Sequence, residues 1–318
     1  MSKIIKIICL LAFVSTSTLS YAVNVVSWGG AYTNSQKLGY GDPYAEKSGV
    51  AVNWIDYSGG LGAIKGQVES GAITWDIMDV YAFEAIQGCD EGLFVEFDFD
   101  NDFPAGVDGS KASDDFFTGG DNPLTDNPGG MPSKCAVGNI LYSWNFGYNT
   151  ELFPGNYNLP DTIGAFFDKA AYPGKRGVYS SAMSNLEIAL MADGVASSDV
   201  YDVLDSDGGI ERALAKMTEL CSDDGCYFWS GGAQPPEALV AKEVSMSTAW
   251  NGRLFNAIVG ENSPIKMVWD AQILDYQYMV LVNGGPNQAE AMDALAYFTS
   301  SEGLAGSAKH ISYAPFRK

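Results

Sequence analysis

The sequence is poor in the residues that metal centres and many catalytic sites require. His310 is its one histidine, which excludes a metal site built from several histidines. It contains no Gly-x-Ser-x-Gly nucleophile elbow, no Walker A loop and no Gly-x-Gly-x-x-Gly fingerprint. Aspartate and glutamate are plentiful, so a glycosidase that uses a pair of carboxylates stays open as an alternative. An enzyme is therefore disfavoured, and no cofactor is expected.

The sequence also lacks an apolar run long enough to cross a bilayer. The apolar run at residues 4–14 is too short to do so. It follows Lys3 and Lys6 and precedes Ser20-Tyr21-Ala22, a small-x-small cleavage site, so residues 1–22 are predicted to be a secretory signal peptide. No cysteine directly follows the cleavage site, so a lipid anchor is not expected. The mature chain would be an exported protein that begins at Val23.

Basic residues are scarce. The chain has 18 lysines and arginines against 39 aspartates and glutamates, a formal net charge of −21. Such a surface repels nucleic acid and anionic lipid and mildly concentrates cations. Solubility in a salty medium explains the same composition equally well. The charge excludes a nucleic-acid partner and weakly favours a cationic ligand.

Cysteine is present in a small, even number outside the predicted signal peptide. In an exported chain this indicates two disulfides. Cys221 and Cys226 would close a short loop in which Gly225 allows the turn, and Cys89 would then pair with Cys135. The alternative is a zinc site with four thiolates. It is disfavoured because neither pair has the two-residue spacing typical of zinc ligands.

Short apolar runs alternate with helical patterns over the first part of the chain. The predicted strands are 25–27, 50–57 and 75–80, and the predicted helices are 33–48, 61–70 and 81–88. This β-α-β-α-β-α order is typical of a doubly wound, largely parallel sheet.

Residues 98–134 interrupt this alternation. They are rich in Asp, Asn, Gly and Pro and have no period, which predicts a long surface loop held at its end by Cys135. Their acidic residues do not match the spacing of an EF-hand loop, so a solvated loop is favoured over a calcium site. A second α/β unit follows. Its predicted strands are 137–148, 177–179, 228–229, 244–249, 266–269 and 276–282, and its predicted helices are 162–169, 185–193, 199–204, 210–220, 236–242, 254–259 and 287–300.

Aromatic and acidic side chains stand at the ends of several predicted strands. Trp28 follows the first strand, Asp79 and Tyr81 mark the third, and Trp229 and Trp250 follow strands of the second unit. Ligands of open α/β sheets bind at the carboxyl ends of the strands. Aromatic faces attract cations, and carboxylates accept the bonds that an ammonium donates. Core packing explains any one of these residues, whereas their shared position favours a binding site.

Several stretches together resemble a known family over nearly the whole mature chain. These stretches are SWGGAY at 27–32, QVESGAITWDIMDV at 67–80, GCDEGL at 88–93, YPGKRG at 172–177, LEIALMADGV at 186–195, GAQPPEAL at 232–239, WNGRLFNA at 250–257 and ISYAP at 311–315. The chain resembles the periplasmic solute-binding proteins of ABC importers, in the spermidine/putrescine-binding group and its Ser-Trp-Gly-Gly-Ala-Tyr branch. These stretches are much less specific for the ligand than for the family.

The resemblance implies a type II binding-protein fold, in which two α/β lobes are joined by two crossing strands. The crossings would lie near residues 137–140 and 269–274. Lobe one would comprise 23–137 and 272–318, and lobe two 138–271. The ligand would lie in the cleft, and the lobes would close on it. The resemblance also implies a periplasmic monomer that delivers its ligand to the permease subunits of an ABC importer.

The resemblance carries four site residues over from polyamine-binding relatives. Trp28 matches the aromatic residue after the first strand, and Glu187 matches a glutamate at the start of a lobe-two helix. Trp250 matches a tryptophan in a strand-end turn, and Tyr313 a tyrosine near the C-terminus. Trp28 and Trp250 are expected to line the cleft, and Glu187 is expected to bind an ammonium group.

Two positions depart from the pattern of those relatives. Arg253 stands where they have an aspartate three residues after the tryptophan. On the late crossing strand, where they have a further aspartate, the best match is Gln277, with Asp275 two residues away. Arg253 is a candidate either for binding a ligand carboxylate or for a structural ion pair with a protein carboxylate. The candidate partners are Glu187, Asp270 and Asp275.

The leading hypothesis is a receptor for a small cationic amine, a polyamine such as putrescine or spermidine. In that case Arg253 must be neutralised inside the protein, which is the expectation adopted for it. The alternative keeps the fold and changes the ligand to a zwitterionic nitrogen compound, such as an amino acid, a betaine or an opine-like compound, bound through Arg253. An exported enzyme is the third hypothesis.

Overall fold

A computed structural model describes residues 22–120, 124–155 and 158–318. The predicted signal peptide lies outside these ranges, apart from Ala22, which begins the first strand. Within the described ranges, no helix is long and apolar enough to cross a membrane.

The described residues form one mixed sheet of nine strands. The strands are β1 Ala22–Ser27, β2 Ala51–Asp56, β3 Ile77–Val80, β4 Val137–Asn149, β5 Arg176–Tyr179, β6 Cys226–Trp229, β7 Met246–Trp250, β8 Ile265–Leu281 and β9 Ala314–Pro315. Their order is β2-β1-β3-β8-β4-β7-β5-β6, with β9 paired to β4. β1 is parallel to β2 and β3, and β5 is parallel to β6 and β7. The parallel triplets match the two predicted α/β units.

Helices cover both faces of the sheet. The α-helices are α1 Gly30–Gln36, α2 Asp42–Ser48, α3 Gly62–Ser70, α4 Ala82–Asp90, α5 Phe99–Asp102, α6 Ala112–Asp115, α7 Ile163–Phe167, α8 Asn185–Ala192, α9 Val200–Leu204, α10 Gly209–Cys221, α11 Gln234–Val240, α12 Asn251–Phe255, α13 Gln288–Phe298 and α14 Ser301–Ala308. Two π-helical turns, Lys37–Gly41 and Asn256–Gly260, and two 3-10 turns, Pro128–Gly130 and Ser197–Asp199, complete the set. The first π-helical turn contains Gly39, which packs closely against the backbone of Ser307. A Cβ at Gly39 would come within 2.2 Å of the Ser307 nitrogen, so this position has room only for glycine.

Two long antiparallel strands, β4 and β8, run through the centre of the sheet and separate two hydrophobic cores. One core is built on β1, β3, α13 and the end of β8. The other is built on β5, α8, α10, the end of β4 and the start of β8. We call the parts around these cores lobe one and lobe two. The residue boundaries between the lobes remain a prediction.

The late crossing strand is continuous, although two separate strands were predicted at 266–269 and 276–282. β8 spans Ile265–Leu281. Its pairing with β4 changes register within this span, since Val268 pairs with Phe146 and Ile273 pairs with Trp144. The residues between them stand opposite Asn145 alone, and Ala271 adopts a positive φ of 54°. Such a bulge bends a strand and breaks its alternation of side chains. That break is why the sequence pattern suggested two strands.

The described parts of residues 98–134, namely 98–120 and 124–134, contain more secondary structure and more buried residues than the predicted surface loop. They contain α5 and α6, and Phe99, Phe103 and Phe116 are buried in the lobe-one core. Asp115 in this segment forms a buried ion pair with Arg317, with 2.8 Å between its Oδ2 and the Arg317 Nη1. Aromatic anchors at irregular spacing carry no period, so the pattern concealed this packing. No cluster of three acidic, histidine or cysteine side chains able to hold a metal occurs in the described part of the chain.

Both predicted disulfides are present. Cys89 on α4 is bonded to Cys135, directly before β4, and Cys221 at the end of α10 is bonded to Cys226 at the start of β6. The first closes a sequence separation of 46 residues and the second one of 5. The prediction from the even cysteine number is therefore confirmed, and a four-thiolate zinc site is excluded.

Candidate functional site

A narrow cavity lies between the lobes, at the carboxyl ends of β1, β3 and β7. Its wall is mostly aromatic. The lining residues are Trp28, Tyr32, Tyr81, Ile140, Tyr142, Trp250, Arg253, Gln277 and Tyr313.

Trp28 is the aromatic centre of this cavity. It follows β1, and Gly29 and Gly30 both have positive φ, so the chain turns sharply from the strand into α1 and leaves the indole facing the cleft. Its ring centroid lies 4.7 Å from that of Tyr81 and 6.0 Å from that of Trp250. Trp28 belongs to lobe one and Trp250 to lobe two, so the two rings meet across the cleft.

Arg253 is the one charged residue of the cavity wall. It lies in α12, three residues after Trp250, and only 3 % of it is exposed. Glycines of both lobes leave room for its guanidinium, because a Cβ would come within 2.9 Å of Nη1 at Gly30 and within 2.7 Å of Nε at Gly232. Its Nη2 donates a hydrogen bond of 3.1 Å to the carbonyl of Trp28 and so links the two lobes.

The expectation that a protein carboxylate neutralises Arg253 is wrong. None of the described residues places a carboxylate oxygen within 4.0 Å of its guanidinium. The proposed partners are engaged or turned elsewhere. Asp270 accepts the backbone N–H of Ile163 at 2.7 Å, and Asp275 accepts the hydroxyl of Tyr142. Burial lowers the pKa of Arg253, an effect that Tyr313, Tyr32 and Asp56 oppose, and a guanidinium remains charged under such conditions.

Several hydrogen-bond donors of the cavity wall have no partner among the described residues. They are the indole nitrogens of Trp28 and Trp250, the hydroxyl of Tyr81, the Nε of Arg253 and the amide nitrogen of Gln277. A buried donor without a partner costs about 1–3 kcal/mol, so such groups mark a place where a ligand or water completes the bonding. Donors beside a guanidinium suit an anionic group.

Asp79 lies one layer behind the wall, in lobe one. It accepts hydrogen bonds from Gln36 Nε2 at 2.5 Å, from Asn139 Nδ2 at 2.9 Å and from the hydroxyl of Tyr32 at 3.3 Å. Burial raises its pKa from 3.8 to about 6, although these bonds oppose the shift. Asp79 therefore orients Tyr32 and does not itself line the cavity.

Two more predicted residues support the wall from behind. Trp229 is completely buried, packs edge-on against Trp250 with ring centroids 5.4 Å apart, and donates its indole N–H to Thr248. Asp275 accepts bonds from the Tyr142 hydroxyl at 2.7 Å and from the Trp144 indole at 3.3 Å. Both residues position wall side chains.

Glu187 lies in the first turn of α8 and outside the cavity wall. Its Oε2 is buried without a hydrogen-bond partner among the described residues. Burial raises the pKa of Glu187, and the charge of Asp275 adds to the rise. Its predicted contact with an ammonium group stays a prediction.

Six of the ten predicted residues share the cavity: Trp28, Tyr81, Trp250, Arg253, Gln277 and Tyr313. Tyr313 reaches it because the C-terminal segment crosses back to pair with β4. Burial raises the pKa of Tyr313 to about 12, although Arg253 opposes the shift, so its hydroxyl stays neutral.

Sequence reasoning missed three residues of the wall, Tyr32, Ile140 and Tyr142. Tyr32 lies in the first turn of α1, directly after the turn that follows Trp28. Ile140 and Tyr142 lie on the same face of β4, as strand residues two apart do. The strand period was visible in the sequence, but nothing there showed which face the cleft would use.

Comparisons with known proteins identify the family to which this chain belongs. Residues 39–318 match the model of the family described as bacterial extracellular solute-binding protein, and the chain belongs to that family, whose members bind solutes and are not enzymes. It is 33 % identical to the gamma-aminobutyric acid-binding protein of Pseudomonas aeruginosa over 299 aligned residues. The aligned region covers 94 % of this chain and 78 % of that protein.

Solved structures show the same fold, that of two-lobed α/β periplasmic binding proteins of type II. The binding protein AgtB of Agrobacterium tumefaciens R10, in complex with agropinic acid, is 26 % identical, with a TM-score of 0.77 over 94 % of this chain and 84 % of that one. The spermidine/putrescine-binding protein PotD of Streptococcus pneumoniae is 15 % identical, with a TM-score of 0.64 over 93 % and 84 %. That second likeness is one of fold alone, so the resemblance to the polyamine-binding group holds only at the level of the fold.

Proposed function

We propose that this protein is the periplasmic receptor of an ABC importer for a small zwitterionic nitrogen compound, whose carboxylate binds Arg253. The observation that carries the proposal is the buried guanidinium of Arg253 in the cavity wall, with no carboxylate oxygen of the described residues within 4.0 Å of it. A carboxylate can accept two parallel bonds from such a group. The named relatives bind gamma-aminobutyric acid and agropinic acid, both of which are acids.

The same observation disfavours the polyamine hypothesis. A diamine carries positive charge at each end, and one end would face the guanidinium of Arg253, which has no ion-pair partner among the described residues. Like charges in a water-poor site repel strongly. The position where a carboxylate was expected on the late crossing strand is occupied by Gln277, whose amide is neutral.

Thermal shift and calorimetry with GABA, other ω-amino acids, putrescine and spermidine test the proposal on the wild-type protein. A ligand that binds only the folded state raises the melting temperature by mass action. We expect the carboxylate-bearing compounds to stabilise the protein and the polyamines to leave it unchanged. Stabilisation by putrescine, with no response to any carboxylate, would overturn the proposal.

Replacement of Arg253 by methionine tests the role of the guanidinium directly. The variant keeps an unbranched apolar stem and removes the guanidinium with its charge, so we expect the affinity for the carboxylate ligand to fall by about 2–5 kcal/mol. Calorimetry measures the loss. Arg212→Met is the matched control, because Arg212 is half exposed and pairs with Asp193 on the surface. The control should bind like the wild type, and equal affinity of both variants would contradict the assignment.

A further inference from the structure

Gln277 lines the cavity from the crossing strand β8. Only 3 % of it is exposed, and none of the described residues accepts the hydrogens of its amide nitrogen. It pairs with Ile140 of β4, which is also a wall residue, so both crossing strands contribute to the cavity. A buried amide without acceptors is costly unless a ligand or water supplies them, so Gln277 is a candidate for contact with the ligand.

One face of β8 carries both this amide and a carboxylate, but only the amide lines the cavity. Asp275 and Gln277 are two residues apart and pair with β4 in regular register, so their side chains leave the strand on the same face. Asp275 accepts hydrogen bonds from the hydroxyl of Tyr142 at 2.7 Å and from the indole of Trp144 at 3.3 Å. The group that β8 presents to the cavity is therefore neutral.

Arg253 and Gln277 reach the cavity from different elements, α12 and β8. Because the cavity is narrow, both residues border the same small volume. The Nε of Arg253 and the amide nitrogen of Gln277 each lack an acceptor among the described residues. A carboxylate has two oxygens and about four acceptor sites, so one such group can accept hydrogen bonds from both side chains. Bonds to a charged acceptor are also stronger than bonds to a neutral one.

Resting on the function proposed above, we propose that Gln277 determines the specificity of the receptor for a carboxylate, because its amide donates a hydrogen bond to the same ligand carboxylate that binds Arg253. An aspartate or glutamate at this position would repel that carboxylate and attract an amine. The ammonium group of the ligand is directed away from Gln277 and toward Tyr142, whose hydroxyl donates its hydrogen to Asp275 and keeps its oxygen as an acceptor.

Gln277→Glu tests this specificity, because it keeps the shape of the side chain and replaces the amide donor by a carboxylate. Isothermal calorimetry compares 4-aminobutanoate, 5-aminopentanoate and putrescine as ligands. Near neutral pH we expect the variant to bind the two amino acids at least about tenfold more weakly than the wild type, and putrescine more tightly. As the pH falls and the new carboxyl gains a proton, it becomes a donor and the loss should shrink. Gln87→Glu, which adds the same charge at an exposed position of α4, should keep the wild-type preference.

Gln277→Met provides a second measurement that adds no buried charge. Combined with Arg253→Met, it forms a double-mutant cycle on the affinity for the two amino acids. If both side chains hold one carboxylate, Gln277→Met should cost about tenfold in the wild-type background and much less in the Arg253→Met background. The same cycle on the free energy of unfolding, without ligand, measures direct contact between the two side chains and should show a smaller coupling.

The outcomes separate this inference from the proposed function. Additive losses in the cycle overturn the inference, because Gln277 would then contact another part of the ligand, and they leave the role of Arg253 intact. Wild-type affinity for the amino acids in both Gln277→Glu and Gln277→Met does the same. Failure of every ω-amino acid to bind the wild type, with binding of putrescine, overturns the proposed function itself.

Discussion

A single buried carboxylate, Asp79, sets the position of one wall residue from behind. Its bonds from Gln36, Asn139 and Tyr32 fix the tyrosine hydroxyl, and the hydroxyl of Tyr57 donates to the Asp79 carbonyl. Burial raises the pKa of Asp79 to about 6 despite these bonds. The folded protein therefore holds a proton on this group at a pH where the unfolded chain has lost it.

The first prediction at this scale concerns the pH dependence of stability. Since the folded pKa of Asp79 is raised, its contribution to the free energy of unfolding is greatest below about pH 4 and falls as pH rises to about 6. The size of the effect is on the order of 2–3 kcal/mol. Urea unfolding of wild type and Asp79→Asn at several pH values measures it.

The comparison of the two proteins isolates the titration of Asp79. The amide of the variant meets the donors of Gln36 and Asn139, so the variant should be less stable throughout. The stability difference between wild type and variant should nevertheless narrow as pH rises from 4 to 6.5. A constant difference over this range would show that Asp79 does not titrate there.

At the scale of residues, sequence reasoning succeeded where a side chain was tied to the end of a strand. Trp28 and Trp250 were placed correctly because each follows a strand and precedes a helix. It failed for the partner of Arg253, because the guanidinium lies against Gly30 and Gly232 and donates to the carbonyl of Trp28, which is 225 residues away in the chain. Only the folded structure brings those groups together.

Among the elements, the turn after β6 shows how local sequence makes room for the site. Gly231 and Gly232 are neighbours with different surroundings. A Cβ at Gly232 would lie 2.6 Å from Cζ3 of Trp250 and 2.7 Å from Nε of Arg253, whereas a Cβ at Gly231 would meet nothing closer than 3.5 Å. The two glycines therefore form a matched pair for substitution. A side chain at Gly232 would push against the cavity residues Trp250 and Arg253, whereas one at Gly231 would not.

Substitution of these glycines gives a prediction at the scale of the element. Gly232→Ala must displace Trp250 or Arg253, and overpacking of this kind costs about 1–3 kcal/mol, which we expect to appear as lost ligand affinity. Gly231→Ala should bind like the wild type. Calorimetry with the carboxylate ligand, together with circular dichroism to check the fold, measures both. Equal affinities would mean that the turn does not shape the site.

The elements themselves were largely predictable, and the exceptions have a common cause. The alternating units up to α4 and the early crossing strand β4 match their predicted ranges closely. The bulge at Ala271 and the buried aromatics of residues 98–134 were missed. In both places burial depends on tertiary packing against distant segments, which leaves no regular period in the local sequence.

For the whole molecule, the net charge is negative, whereas the charged residue of the cavity wall is positive, so the two favour ligands of opposite charge. The chain carries a formal charge of −21, which favoured a cationic ligand, yet the cavity wall holds one guanidinium and no carboxylate. Surface charges are screened over about 8 Å at physiological ionic strength. In a cavity lined by buried aromatic residues the nearest charge dominates, so composition could indicate solubility but not the charge of the ligand.

The cavity lies between the two lobes, so we propose that ligand binding is linked to closure of the lobes. The cavity wall combines Trp28 and Tyr81 of lobe one with Trp250 and Arg253 of lobe two, so a ligand contacts both lobes only when they are together. A ligand shifts an equilibrium toward the state that it binds better. The lobes are joined by β4 and β8, whose register break at Ala271 provides a place where the strands can bend.

The final prediction is that ligand binding makes the protein more compact. The tightest carboxylate of the calorimetric panel should reduce the radius of gyration of the wild type in small-angle X-ray scattering, because binding favours the closed arrangement. Arg253→Met loses both its bond to the ligand and its bond to the Trp28 carbonyl, so it should show a smaller reduction at a ligand concentration that saturates it. Arg212→Met, altered on the surface, should close like the wild type. A wild-type radius that stays constant while calorimetry reports saturation would show that the cavity fills without movement of the lobes, and Arg253 would then act on the ligand alone.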